Sequence, residues 1–189
     1  PAHVETLRGL RDGSITLDGV EIDTDLEWEL LEGLALNGGA SRSEIEAALE
    51  RDNTSNGQQA AARSAAALPS ADDKRAAFDS LVARAELPNV VVRMTTMGYT
   101  HVNDPASLEG LVQPYFDALT EVWSSRTHAI AEYIVLGLYP VPLASQELVD
   151  ATRAWLDANS DAAPALRRLV TENLAGVERA LAAQARDRV

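Results

Sequence analysis

Apolar residues recur along most of this chain at the three- and four-residue spacing of amphipathic helices. The clearest short stripe is Leu26, Leu30, Leu31 and Leu34, and the longest apolar-periodic segment runs from Tyr115 to Leu138. The spacing predicts a series of helices separated by short turns. These helices are expected over 2–11, from Thr24, over 41–50, 55–68, from Ser70, over 88–98, from Asp104, over 115–138, around 148–156 and from about 166.

Start and stop signals frame these stripes. Thr24-Asp25-Leu26-Glu27 and Ser41-Arg42-Ser43-Glu44 both have the capping-box pattern, in which a hydroxyl and a carboxylate satisfy the first backbone N–H groups of a helix. Asn37-Gly38-Gly39 is a helix-ending sequence, and Pro69 closes an Ala-rich stretch. The segment from Tyr115 to Leu138 contains no comparable break, which predicts one continuous helix.

One segment departs from the helical period. From Ser14 to Ile22 the chain alternates apolar and polar residues, a pattern typical of a strand. No second segment of similar quality exists to pair with it. We therefore interpret it as an extended connector that lays Ile15, Leu17 and Ile22 on a helical core.

Composition agrees with a helical protein. Ala and Leu make up nearly a third of the 189 residues and aromatic residues only 5%, a balance that favours helix over strand. Roughly one helix–turn–helix pair per 30–45 residues predicts an all-α fold of stacked antiparallel helix pairs, an α-solenoid (α-α superhelix) of HEAT or armadillo type. No stretch resembles a linker, so we expect one helical unit over 1–189 without an internal domain boundary.

Charge and residue usage exclude several functions. With 16 Lys and Arg against 29 Asp and Glu, the net charge is −13, which disfavours nucleic acid as a partner. The absence of Cys excludes disulfides, thiolate nucleophiles and Cys-ligated metals. No apolar run reaches the 18–20 or so residues of a membrane span. We expect a cytoplasmic protein that binds neither nucleic acid nor membrane.

The sequence also lacks recognisable catalytic motifs. None of its three His residues is followed by Glu, so no H-E-x-x-H zinc helix is present, and no G-x-S-x-G elbow occurs. His128 and Glu132 are one helical turn apart, which is typical of a surface pair. The chain is therefore predicted to contain no catalytic residue, no metal ligand and no cofactor site. An enzyme with an unfamiliar site would need convergent polar residues in a closed pocket.

One helix combines aromatic residues with a cation. Tyr115, Phe116, Trp123 and Arg126 all belong to the segment that begins at Tyr115. Arginine beside aromatic rings can form a carboxylate-binding or interface patch. It can equally be a buried arginine satisfied by nearby carbonyl groups. We single out these four residues as a candidate contact surface and leave both interpretations of Arg126 open.

Several short motifs, in order, give the chain a family resemblance. Together they resemble the C-terminal helical domain of actinobacterial aminopeptidase N, which is also found in endoplasmic-reticulum aminopeptidases, and they span about residues 7–186. The motifs are Asp12-Gly13, the run Val20-Glu21-Ile22-Asp23-Thr24-Asp25-Leu26-Glu27-Trp28-Glu29-Leu30-Leu31, Asp52-Asn53-Thr54-Ser55-Asn56-Gly57-Gln58, Ala66-Ala67-Leu68-Pro69 with Lys74, Leu87-Pro88-Asn89, Tyr115-Phe116 with Val122-Trp123 and Arg126, Gly137-Leu138-Tyr139-Pro140, and Ala165-Leu166-Arg167-Arg168-Leu169. The run from Gly98 to Asn103 departs from the family pattern.

The resemblance implies a role without catalysis in this chain. Aminopeptidase N is a zinc metallopeptidase that removes N-terminal residues from peptides, and its zinc ligands and catalytic residues lie in another domain. The C-terminal domain closes over that catalytic domain as lid and wall of the substrate chamber. The implied partners are the catalytic domain of the same polypeptide and peptide substrates, with zinc held by the parent enzyme. Tyr115, Phe116, Trp123 and Arg126 would then contact the catalytic domain or the peptide.

A second interpretation comes from the fold class alone. Helical-repeat proteins often bind peptides or partner proteins along a concave surface without any chemistry. The chain could therefore be a free-standing scaffold. The upstream coding sequence separates the two, since only a domain of aminopeptidase N would follow an H-E-x-x-H segment.

Overall fold

A computed structural model describes residues 2–84 and 86–187, and over these ranges the chain is helical without any strand. The all-α prediction is confirmed for this part of the chain. Two short 3-10 helices, Pro105–Leu111 and Val141–Leu143, interrupt the α-helices. The α-helices are α1 (Ala2–Asp12), α2 (Thr24–Leu36), α3 (Arg42–Arg51), α4 (Ser55–Ala67), α5 (Ala71–Ala83), α6 (Asn89–Thr100), α7 (Val112–Ser125), α8 (His128–Gly137), α9 (Gln146–Ala158) and α10 (Pro164–Asp187).

The even-numbered helices form one row in chain order. Helix α2 packs on α4, α4 on α6, α6 on α8, and α8 on α10. The odd-numbered helices lie against this row, with α3 on α4, α5 on both α4 and α6, α7 on α8, and α9 on α10. This is the neighbour pattern expected of stacked helix pairs. The closer comparison with HEAT or armadillo repeats, and the single unit over 1–189, remain predictions.

The observed helix starts follow local capping chemistry. At α3 the Ser41 hydroxyl accepts from the Glu44 N–H at 3.3 Å and the Glu44 carboxylate accepts from the Ser41 N–H at 2.9 Å. The second capping box is therefore confirmed. At α2 the cap is Asp23, whose carboxylate accepts from the Leu26 N–H at 2.8 Å. Placing the cap at Thr24 was wrong by one residue, because Asp23 supplies the better acceptor.

The longest predicted helix is two helices. Helix α7 ends at Ser125, α8 begins at His128, and Arg126 and Thr127 between them have extended backbone angles, with ψ of 162° and 151°. The two helices pack against each other. The expectation of one helix from Tyr115 to Leu138 was wrong because both helices bury an apolar face, so the sequence period continues across the break.

The connector from Ser14 to Ile22 is neither helix nor strand. A Cβ added to Gly9 would lie 2.7 Å from the Ile15 side chain, so Ile15 lies on α1, while 39% of it stays exposed. Leu17 is 53% exposed and Ile22 is half-buried. Laying Leu17 on the core was therefore wrong, because the chain turns outward between Gly13 and Gly19, both at positive φ.

The core has two hydrophobic clusters that meet at α4. The smaller contains Trp28, Leu31 and Ala61, and the larger contains Ala66 and extends through α10. Helices α4 and α6 approach closely where Gly98 faces the Arg63 carbonyl, since an added Cβ would lie 2.1 Å from that oxygen. Among the helices described, none is both long and apolar enough to cross a bilayer.

Candidate functional site

The two aromatic residues near the start of α7 point into the core. Tyr115 is 2% exposed and Phe116 is 5% exposed. The Tyr115 hydroxyl donates to the Val135 carbonyl at 2.8 Å, and its ring meets Tyr139 edge-on at 5.5 Å. Burial raises the pKa of Tyr115 well above its ordinary value. In this fold Tyr115 joins α7 to α8 through a buried hydrogen bond, and the Phe116 ring packs edge-on against Tyr115 at 5.1 Å.

The other two predicted residues lie at the opposite end of α7. Trp123 is half-buried, and its ring meets the His128 ring edge-on at 5.0 Å. Arg126, also half-buried, donates from Nη2 to the Val82 carbonyl near the end of α5, at 2.5 Å. A cation here complements the negative end of the α5 dipole.

The four residues therefore separate into a buried pair and a partly accessible pair. Between the two interpretations of Arg126, the bond to Val82 shows that a carbonyl satisfies part of its guanidinium. Contact with a catalytic domain or a peptide stays a prediction. In this fold such a contact would have to be made by Trp123 and Arg126, because Tyr115 and Phe116 have almost no surface.

A cleft that the sequence did not single out lies across α2, α4 and α6. Its wall carries three carboxylates, Asp25, Glu29 and Glu32, with Arg63 on the facing helix. Arg63 Nε is 2.9 Å from Glu32 Oε1 and Arg63 Nη1 is 3.9 Å from Glu29 Oε1. His101 Nδ1, at the end of α6, is 3.6 Å from the same Glu32 oxygen.

Glu32 is the most buried carboxylate of this cleft, with 7% of the residue exposed. Burial raises its pKa, against the opposing effect of the Arg63 charge. The three carboxylates outnumber the single arginine, so the cleft favours cationic over anionic groups. This geometry supports the binding of a cationic group.

Lys74 is the second unpredicted feature. It is completely buried at the start of α5, and its ammonium donates to the carbonyls of Ala66 at 2.7 Å, Gly98 at 3.3 Å and His101 at 3.4 Å. These carbonyls lie at the ends of α4 and α6, where helices leave acceptors unsatisfied. Burial lowers the pKa of Lys74 to about 8.

The sequence did contain a signal for Lys74. It is the only lysine among 16 basic residues, and it precedes Phe78 and Leu81 at the four- and seven-residue spacing of one helix face. A charged residue in register with a buried stripe indicates a buried charge with a structural partner. The acidic cleft had no such signal, because Arg63 and Glu32 are 31 positions apart and only the packing of α2 on α4 joins them.

The candidate metal ligands do not form a site in the part of the chain that the structure describes. No group of three or more His, Asp or Glu side chains there could hold an ion. The pair His128 and Glu132 has no third ligand beside it, and the His128 ring packs on Trp123 instead.

Comparison with known proteins adds what the geometry alone does not supply. A family model described as the ERAP1-like C-terminal domain matches residues 1–179. Aminopeptidase N of Streptomyces lividans is 41% identical over 187 residues, which is 99% of this chain. The matched region is only 22% of that relative's length.

Proposed function

The chain belongs to the ERAP1-like C-terminal domain family, and from this membership we propose that it is a non-catalytic helical domain of a longer zinc aminopeptidase. In this proposal it closes over the catalytic domain as lid and wall of a peptide chamber. The observation that carries the proposal is the coverage of the relative, in which 99% of this chain matches 22% of an aminopeptidase N. Zinc and the catalytic residues belong to the remaining part.

The charge of one cleft supports a role as chamber wall. The cleft between α2, α4 and α6 presents three carboxylates and one arginine. Carboxylates at the edge of a chamber attract the cationic amine at a peptide N-terminus. This electrostatic preference is the substrate contribution that we assign to the domain.

The absence of catalysis is tested directly on the purified chain. It should release no product from alanyl or lysyl amides with or without added zinc, and zinc should leave its Tm unchanged. The longer polypeptide, assayed in parallel, should hydrolyse the same amides. Zinc-dependent turnover by the chain alone would overturn the proposal.

The wall role is tested by the dependence of the kinetics on peptide length. In the longer polypeptide, Arg126→Ala should raise KM for long peptides several-fold more than for single-residue amides, because only long peptides reach the end of α7. Arg168→Ala is the control, since Arg168 is an exposed arginine on α10, where it pairs with Glu172. Equal effects on both substrate classes, or lowered stability alone, would show that Arg126 acts only through Val82.

A further inference from the structure

The loop between α1 and α2 exposes three apolar side chains. Ile15, Leu17 and Val20 are 39%, 53% and 48% exposed, within six residues of one another. We call residues 14–22 the α1–α2 loop. Exposed apolar residues that are grouped together mark interaction surfaces more often than isolated ones do.

The loop is held in shape although its side chains face solvent. The Ser14 N–H donates to the Asp12 carboxylate at 2.9 Å, the Ile15 N–H to the Gly9 carbonyl at 2.9 Å, and the Val20 N–H to the Leu17 carbonyl at 3.1 Å. Among the described residues, none of the N–H groups of Thr16–Gly19 has a backbone partner. The loop therefore presents three apolar side chains and free amide groups on an ordered backbone. Because this backbone is already ordered, the loop loses little conformational entropy when a partner binds.

The loop and the chain that follows it carry charges of one sign. Residues 12–41 contain eight Asp and Glu and no Lys or Arg. Asp18 and Glu21, inside the loop, form no ion pair in the described part of the chain. The cation nearest in sequence, Arg11, is directed to Glu27 at 3.6 Å and Glu44 at 3.7 Å.

The exposed apolar side chains and the carboxylates beside them together indicate the chemistry of the partner. A second copy of the chain would bring the same carboxylates together across a two-fold axis, and like charges at an interface oppose association. A complementary partner is apolar at its centre and carries Lys or Arg around the rim. A surface of that kind on the same polypeptide would be held close to the loop at all times.

We infer that the α1–α2 loop docks this domain onto the rest of the longer polypeptide, through an apolar surface rimmed by Lys or Arg. The inference rests on the proposed function, since it uses the finding that the matched relative extends far beyond this chain. Docking through the loop buries Leu17 and Val20 and pairs the free amides of Thr16–Gly19.

Amide hydrogen exchange of the loop tests this inference. Peptides covering residues 14–22 should exchange at least tenfold more slowly in the longer polypeptide than in this chain alone. Equal rates would overturn the inference. Protection that increases with the concentration of this chain alone would identify a second copy as the partner, and protection only after adding a peptide substrate would identify the peptide, so either result would also overturn it.

A matched pair of variants makes the test specific. In the longer polypeptide, Val20→Asp should restore fast exchange in the loop, because a carboxylate then faces the apolar surface. Val141→Asp is the control, because Val141 is also a surface valine, 44% exposed, and should leave the loop protected. Protection that survives Val20→Asp would contradict docking through this loop.

Hydrogen exchange of the loop and the peptide-length kinetics of Arg126→Ala test the docking and the wall role separately. A protected loop together with unchanged peptide-length kinetics in Arg126→Ala would support docking and contradict a wall built at the end of α7. An unprotected loop together with altered peptide-length kinetics would contradict docking and support the wall. Thermal unfolding of Val20→Asp in this chain alone should match the unsubstituted chain, because Val20 lies at the surface.

Discussion

Replacing Lys74 with methionine tests how the two central helices are joined. The substitution keeps an unbranched side chain of similar length and removes the ammonium that binds carbonyls at the ends of α4 and α6. Methionine cannot donate, so three carbonyl groups in a closed site lose their shared partner. Because α5 supplies Lys74 and packs on both α4 and α6, the loss falls at the junction of three helices.

The size of the effect follows from the three distances. The bond to Ala66, at 2.7 Å, is a close charge-assisted hydrogen bond, and the bonds to Gly98 and His101, at 3.3 and 3.4 Å, are longer. Bonds to charged groups contribute about 1.5–3 kcal/mol each and long ones contribute less, while burying the charge opposes the gain. We expect Lys74→Met to lower the free energy of unfolding by about 3 kcal/mol at pH 7.

The same site gives a pH dependence with a definite sign. The folded pKa of about 8 lies below the ordinary value of 10.5, so between these values the unfolded chain binds more protons than the folded chain. Stability contributed by Lys74 therefore rises with pH across this window, by about 3 kcal/mol in total. The methionine variant lacks this gain, so the difference between the two proteins should widen from about pH 8 to pH 10.5.

Urea unfolding of both proteins at several pH values from 7 to 10.5 measures both quantities. Arg168→Met is the control, because this exposed arginine and its pair with Glu172 lie on the surface of α10 and should contribute less than about 1 kcal/mol. Equal stability of Lys74→Met and the unsubstituted chain at pH 7 would refute the role of the ammonium. A constant difference across the pH range would refute the lowered pKa.

Two further predictions concern the same junction. Gly98→Ala places a Cβ 2.1 Å from the Arg63 carbonyl, so α4 and α6 must separate and the free energy of unfolding should fall by about 3 kcal/mol. Gly110→Ala is the control, because its added Cβ has no atom within 4 Å and should have little effect in the same urea titrations. An equal loss in both variants would contradict the close approach of the two helices. Lys74 is completely buried, so an amine-specific reagent should leave its side chain unmodified in the native chain and modify it in denaturant, as read by peptide mass spectrometry. Rapid native modification would show that the site opens.

The helices could be predicted from the sequence where their signals are local. The Ser41–Glu44 capping box and the apolar stripe of α2 specify their helices within a few neighbouring residues. The break between α7 and α8 is not local in this sense, because the Arg126 guanidinium that accompanies it binds the Val82 carbonyl, 44 residues away. The outward path of the α1–α2 loop was missed for a related reason, since alternation predicts an extended backbone but not the side on which it packs.

The candidate site, too, could be predicted only where its signal lies within one helix. An aromatic–cation combination could be recognised on α7, but the depth of Tyr115 and Phe116 depends on α8 and on Asn173 of α10, which approaches the Tyr115 hydroxyl at 3.4 Å. The acidic cleft requires α2 and α4 to meet, and no single helix shows it. Lys74 had a readable position within its helix, but the carbonyls that it binds come from two other helices.

The central claim is that this chain is one domain of a longer aminopeptidase, and the mass of the natural polypeptide tests it most directly. An antibody raised against this chain should detect, in extracts of the source cells made with protease inhibitors, a polypeptide several times heavier than 20.3 kDa. That expectation follows from the 22% coverage of the relative. Detection of a 20.3 kDa protein alone, with no heavier species, would contradict the account.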